Sequence, residues 1–253
     1  STSNESCISQ YHADRVAIWK RYYDTMQLKS PGSICILEHF ADNSEEIELA
    51  DYGMLLWGNL NYNFSEASMG WVGTSNFESY LHTARGWSKP HLVSYMESHD
   101  EERLMYKNLT FGNSSGSYNV RNLSTALARQ EAAASVFFTV PGPKMIWQFG
   151  ERGYDIPLNF GGSNVANKPP HWEYMTVPER VHLYNVYKQI IGFRLNNSAV
   201  FNNTSFTYDF NNGLVKLFQI ADPASGSKKV TVVANLDVDP KTKTIDFQST
   251  GDW

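Results

Sequence analysis

Val16, Trp19, Tyr23 and Met26 recur at steps of three and four, which places them on one face of a helix over Tyr11–Met26. Ser30-Pro31-Gly32 breaks the chain. The run Ile34-Cys35-Ile36-Leu37 then shows no alternation, the pattern of a strand buried on both faces of a parallel sheet. Met54–Trp57, His91–Met96 and Met145–Phe149 repeat that pattern. Between them lie a loop-like, aromatic-rich Asn59–Trp71, a segment compatible with a helix at Asn76–Ala84, and a Ser/Gly/Asn-rich loop over Asn113–Asn119. An Ala- and Leu-rich helix over Leu123–Thr139 is ended by Pro141-Gly142-Pro143. A loop rich in Gly, Pro and Asn runs from Gly150 to Trp172. After Pro178 a helix carries Val181, Tyr184, Tyr187 and Ile191 on one face. Strands alternating with helices predict an α/β fold, either a barrel or an open doubly wound sheet.

The pattern changes near Asn196–Ala199. Phe206–Phe210, Leu214–Ile220, Val230–Ala234 and Thr244–Phe247 read as short strands of an antiparallel β-domain. Asn211-Asn212-Gly213 reads as the hairpin turn between the first two, since Asn and Gly tolerate positive φ.

Composition narrows the function classes. A net charge of -5 gives no basic footprint, so nucleic acid is not expected as a partner. No apolar stretch reaches the length of a membrane span. Cys7 and Cys35 make neither a disulfide framework nor a metal site, and Cys35 is expected to be a buried free thiol. Ser1–Ser6 lack the basic and apolar regions of a signal peptide, so secretion is left undecided, with an extracellular or periplasmic setting favoured over a cytoplasmic one. Seven Trp and fourteen Tyr supply flat faces that suit a core or a sugar ring, and both uses stay open.

Glu38 and Asp100 each follow an apolar run that reads as a buried parallel strand. In a barrel the C-terminal strand ends converge on the active-site face, so acids placed there are catalytic candidates. The local sequence goes further. Ser98-His99-Asp100 resembles the Asn-His-Asp motif that ends the seventh barrel strand in the α-amylase family, glycoside hydrolase family 13. Leu37-Glu38-His39 resembles its fifth-strand motif, and Gln148-Phe149-Gly150-Glu151 its eighth strand end. Lys168–Tyr174, Pro178-Glu179-Arg180 and Phe193-Arg194-Leu195 follow its course into the eighth helix, so the resemblance runs from Tyr11 to Asn235.

The resemblance implies the second half of a TIM (β/α)₈ barrel, strands five to eight, over residues 1–198. A truncated antiparallel β-domain would follow over 199–253. It implies a retaining glycosidase acting on α-glucan, with Glu38 as general acid and Asp100 as the ionised transition-state stabiliser. His99 would contact the same sugar, and Arg103 would orient the loop or carboxylate. A proton donor must be uncharged near neutral pH, which calls for burial or nearby negative charge. Trp57 and Tyr154 are substrate-binding candidates, and Tyr62, Trp71 and Trp147 are further aromatics for stacking. Calcium accompanies many members of the family. It stays open here without assigned ligands, Asp51 and Asp155 being isolated loop carboxylates.

The sequence departs from the family in one respect. A retaining mechanism needs a carboxylate nucleophile about 5–5.5 Å from the acid. The family places it in a Gly-x-Arg-x-Asp pattern at the fourth strand, and nothing between Ser1 and Glu38 matches; Asp14 and Asp24 fall within the first helix. Four strands also leave open edges where a barrel needs eight. The expectation is therefore a fragment, inactive alone, whose partner would be the missing half of its barrel. A non-catalytic amylase-like binding protein is the alternative. Asn108-Leu109-Thr110 and Asn122-Leu123-Ser124 match the glycosylation pattern, a triplet common by chance.

Overall fold

The computed structural model describes residues 9–251, so the expectation for Cys7 lies outside the described residues. The chain forms two compact units. The first holds the described part of Ser1–Gly58 with Ser79–Ser94 and Gly142–Lys144, and the second holds the remainder.

The first unit is built on helix α1 (Ala13–Lys29), strand β1 (Ile36–Leu37), helix α2 (Asn43–Tyr52) and strand β2 (Leu55–Asn59). Strands β3 (Leu92–Tyr95) and β6 (Lys144–Met145) complete a sheet of order β1-β2-β3-β6. β1 and β2 pair in parallel, Ile36 opposite Leu55 and Leu37 opposite Leu56. Val16, Leu37, Leu49, Ala50, Met54, Leu56, Trp87 and Leu92 form the core, with Trp19 and Tyr23 packed against it, so that Val16, Trp19 and Tyr23 of the face expected of α1 meet the core.

The expected burial of Ile34–Leu37 on both faces is not met. β1 has two residues and sits at the sheet edge, with Ile34 and Ile36 exposed and Cys35 a half-buried free thiol. The sequence reading omits α2. Its start is set by Asp42, whose carboxylate accepts the Ser44 N–H (2.9 Å), and by Glu45 and Glu46, which favour the positive end of the helix.

The second unit contains α3 (Asn61–Met69), α4 (Leu104–Phe111), α5 (Leu123–Thr139), α6 (Pro178–Asn196) and the short α7 (Ser198–Phe201). It also holds the two-stranded ribbon β4 (Ser114–Ser115) and β5 (Tyr118–Asn119). Strands β7 (Phe206–Asp209), β8 (Val215–Ala221) and β9 (Lys229–Asn235) form the antiparallel sheet expected of the C-terminal part.

Asn59–Trp71 is therefore mostly helix, not loop. Phe64, Ala67 and Met69 are buried, and Gly70 closes the helix at φ +87°. Tertiary burial overrides the poor helix propensity of its Asn and Ser residues. Asn76–Ala84 yields a single 3₁₀ turn at Glu78–Tyr80, and Thr244–Phe247 forms no strand. The 211–213 turn closes without positive φ, through an Asn211 carboxamide oxygen that accepts the Gly213 N–H (2.7 Å).

An aromatic chain ties α3 and α5 to the antiparallel sheet. Phe64 stacks on Phe77 (4.2 Å) and meets Phe137 edge-on (5.9 Å). Phe77 meets Phe210, which stacks on Phe218 of β8. Beside it, the fully buried Lys216 ammonium lies 4.5 Å from the Phe77 ring and donates to the Ser75 and Asn211 (2.6 Å) carbonyls. No helix among the described residues is long and apolar enough to cross a membrane.

Candidate functional site

The second unit holds an open cleft of about 320 Å³, lined by His99, Asp100, Arg103, Trp147, Gln148 and the 164–168 segment. One wall is the turn that follows β3. Met96, Glu97 and Ser98 continue the buried course of the strand, and the chain then turns out so that His99 and Asp100 are exposed. Ser98 Oγ accepts the Asp100 N–H (3.2 Å) and donates to Glu101. The Asn61 carboxamide donates to the Met96 and Glu102 carbonyls, both at 2.8 Å. Arg103 is buried, and its Nη1 donates to the Ser98 and Glu101 (2.9 Å) carbonyls, so it holds the turn from beneath. His99 and Asp100 lie 3.4 Å apart at the rim.

The opposite wall is the turn after β6. Trp147 faces His99 with ring centroids 5.9 Å apart. Phe149 adopts φ +59°, a left-handed conformation that a bulky side chain rarely takes. It is held there by packing against Tyr154 (5.7 Å) and edge-on against Trp172 (5.0 Å). The long loop is ordered from beneath by Arg180 of α6. Arg180 pairs with Asp155 (2.7 Å), donates to the Arg152 carbonyl (3.0 Å), and lies 3.8 Å over the Tyr174 ring.

Between the two turns sits Glu97, which the sequence reading passed over. Burial pushes its carboxyl up from 4.5 to about 7. The Leu104 N–H and the Arg103 charge pull the other way, and Glu151 and Glu102 add to the rise. Its Oε1 accepts the Leu104 N–H at 2.7 Å, the first amide of α4. The apolar run in the sequence ends at Met96, so only the folded chain shows that burial continues through Glu97 and Ser98.

His99, Asp100 and Arg103 are thus brought to one cleft together with Trp147. Tyr154 is not a sugar platform: it is 1% exposed, and its hydroxyl donates to the Pro169 carbonyl (2.6 Å). Trp57 lies half-buried on β2 of the first unit, while Tyr62 and Trp71 are exposed on and just after α3.

Glu38 follows β1 in the first unit and is exposed, so the burial expected of a proton donor is not met there. The buried group beside it is His39, whose Nε2 lies 2.7 Å from Glu45. Burial would raise the Glu45 carboxyl. Hydrogen bonds from Arg15 (2.8 Å), the His12 N–H and His39 outweigh it and hold Glu45 below the usual carboxylate value. Asp51 and Asp155 already have protein partners, Ser88 and Arg180 respectively. Asn108 is fully buried with its carboxamide donating to Ser68 (2.7 Å), which leaves it inaccessible to glycosylation.

No protein-family model matches the chain, and no curated protein matches it either. Solved structures do. A pullulanase from Paenibacillus barengoltzii aligns with a TM-score of 0.63 and 13% identity, over 94% of this chain and 41% of that one. An α-amylase from H. orenii aligns with a TM-score of 0.56 and 15% identity, over 88% and 47%. A maltogenic amylase from S. marinus aligns with a TM-score of 0.59 and 16% identity, over 87% and 29%. The chain spans less than half the length of each of these structures. Its parallel sheet, helices and C-terminal antiparallel sheet share the fold of amylases and pullulanases.

Proposed function

We propose that these residues belong to a retaining glycoside hydrolase of the α-amylase type acting on α-glucan. On this reading the parallel strands correspond to strands five to eight of a (β/α)₈ barrel and the antiparallel sheet to the start of the trailing domain. One observation carries the reading: His99 and Asp100 stand exposed at a cleft immediately after a strand of the parallel sheet, with Trp147 facing them and Arg103 buried beneath. An exposed carboxylate beside an imidazole and an aromatic face offers what a sugar ring needs: acceptors for its hydroxyls and an apolar plate for its face.

In this mechanism Asp100 stays ionised and steadies the positive charge that develops on the sugar ring. His99 bonds a hydroxyl of the same ring, and Glu38 protonates the departing oxygen. Arg103 acts through the backbone of the turn. No carboxylate before Glu38 matches the family nucleophile: Asp14 is exposed on α1, and Asp24 accepts the Tyr52 hydroxyl (2.8 Å). The 253 residues by themselves are therefore proposed to bind glucan without cleaving it.

The test is calorimetric titration with maltoheptaose. Asp100→Asn and His99→Ala are each expected to weaken binding about tenfold or more, the scale of one charge-assisted hydrogen bond. Unchanged affinity in both variants would remove the cleft from consideration, and starch hydrolysis by this chain would overturn the missing-nucleophile argument. In any longer protein containing these residues, Glu38→Gln is expected to cost roughly 10²- to 10⁴-fold in turnover, the usual contribution of a general acid. An unchanged rate there would remove Glu38 as the acid, whereas no turnover by such a longer protein would favour the second reading, a non-catalytic glucan-binding protein, which the exposure of Glu38 also supports.

A further inference from the structure

The two walls of the cleft are joined at one buried point. Glu97 lies two residues before His99, and Gly150 lies two residues after Gln148. Glu97 is 7% exposed, and its Oε1 is committed to the Leu104 N–H at 2.7 Å. Its Oε2 occupies the space beside Gly150: a Cβ added there would stand 2.7 Å from that oxygen. Gly150 is not a positive-φ position, so conformational freedom does not explain why a glycine stands there. Close approach does. The carboxylate cannot simply swing away, because its other oxygen is tied to the first amide of α4 and the residue is buried.

The wall opposite is equally constrained. Gly150 N–H donates to the Trp147 carbonyl (2.9 Å), and the Arg152 and Tyr154 N–H groups donate to the Phe149 carbonyl at 2.9 and 3.2 Å. Phe149, between Gln148 and Gly150, holds its left-handed backbone by burial. A shift at Gly150 is thus transmitted along a stiff turn to Trp147 and Gln148, and a shift at Glu97 along the 97–103 turn to His99 and Asp100.

We propose that Glu97 is a positioning residue: seated on the Leu104 amide and against Gly150, its carboxylate fixes the spacing between the His99–Asp100 turn and the Trp147–Gln148 turn. The functional half of this inference rests on the reading of the cleft as a glucan site; the interlock itself does not. Neither residue touches the sugar in this arrangement, and both act through the turns they hold.

The test is a double-mutant cycle on the 253-residue chain, reading maltoheptaose affinity and Tm together. Gly150→Ala is expected to weaken binding at least tenfold because its methyl displaces the carboxylate. Glu97→Ala is expected to do the same by freeing the two turns. Glu97→Gln, which keeps the shape and the acceptor, should stay within twofold of the parent and tests the idea if Glu97→Ala fails to fold. In Glu97→Ala/Gly150→Ala the methyl enters the space the carboxylate has left, so the double variant should bind no worse than Glu97→Ala alone. Multiplied losses, about a hundredfold in all, would overturn the interlock. So would a fall in Tm with affinity unchanged, which is what a merely structural carboxylate would give. If the parent chain does not bind maltoheptaose, the glucan reading fails. The interlock is then judged on Tm alone, where additive losses refute it.

Discussion

The charge on Glu97 makes a prediction separate from its shape. The unfolded chain protonates this glutamate near 4.5, and burial raises it to about 7 in the folded protein. Between those values the folded state holds a proton that the unfolded state has released. The contribution is therefore fully present below pH 4.5, is lost as pH rises towards 7, and is flat above that. At 1.36 kcal/mol for each tenfold difference in proton affinity, the whole loss is about 3 kcal/mol. Glu97→Gln retains an acceptor for the Leu104 amide and cannot ionise. Its stability should match the parent at pH 4.5 and exceed it by about 3 kcal/mol at pH 8, a large fraction of a typical domain's total. Urea denaturation followed by tryptophan fluorescence at half-unit pH steps measures this, because other titrating groups cancel in the difference between parent and variant. The groups facing Glu97 are Arg103 and Glu102 on its own turn, Glu151 on the opposite turn and Tyr187 on α6. Parallel stability curves for the two proteins would refute the reasoning, since a carboxyl held neutral by burial cannot leave the slope unchanged.

Three further outcomes follow from the second unit. Burial lowers Lys216 from 10.5 to about 8, so its contribution to stability climbs as pH rises between those values. Lys216→Met should abolish that climb relative to the parent, and equal slopes in urea at pH 8 and 10 would contradict it. Gly70 closes α3 at φ +87°, and a Cβ there would stand 2.8 Å from Val238. Gly70→Ala should cost about 1–2 kcal/mol in denaturant unfolding, and a neutral result would show the turn relaxes freely. Arg180→Met leaves Asp155 without its cation and the 152–153 carbonyls without their donor. About 3–5 kcal/mol should be lost, with proteolysis starting in the 150–172 loop; a loss under about 1 kcal/mol would mean that the aromatic packing alone orders it.

How much of this was legible in the sequence depends on where the determining contacts lie. Leu123–Thr139 was bounded correctly because its Ala- and Leu-rich pattern and the Pro-Gly-Pro stop are local. The three antiparallel strands were found for the same reason, short β-prone runs with an Asn-Asn-Gly turn between the first two, both local features. Asn61–Met69 was missed because its helix is made by burial of Phe64 and Met69, partners distant in sequence. The His99–Asp100 turn was reached through the ordered series of motifs that resembles the α-amylase family, since a His-Asp pair after a strand is weakly specific by itself. Glu97 was not, although it stands two positions away. An acid in a buried run signals a constraint, but its partners, Leu104 N–H and the bare Cα of Gly150, are a backbone amide and an absent side chain. Neither leaves a mark that residue chemistry alone can read. An acid, an imidazole and an indole gathered at a cleft advertise themselves by type. Those that set the distance between them do so by fit, and fit is visible only once the chain has folded.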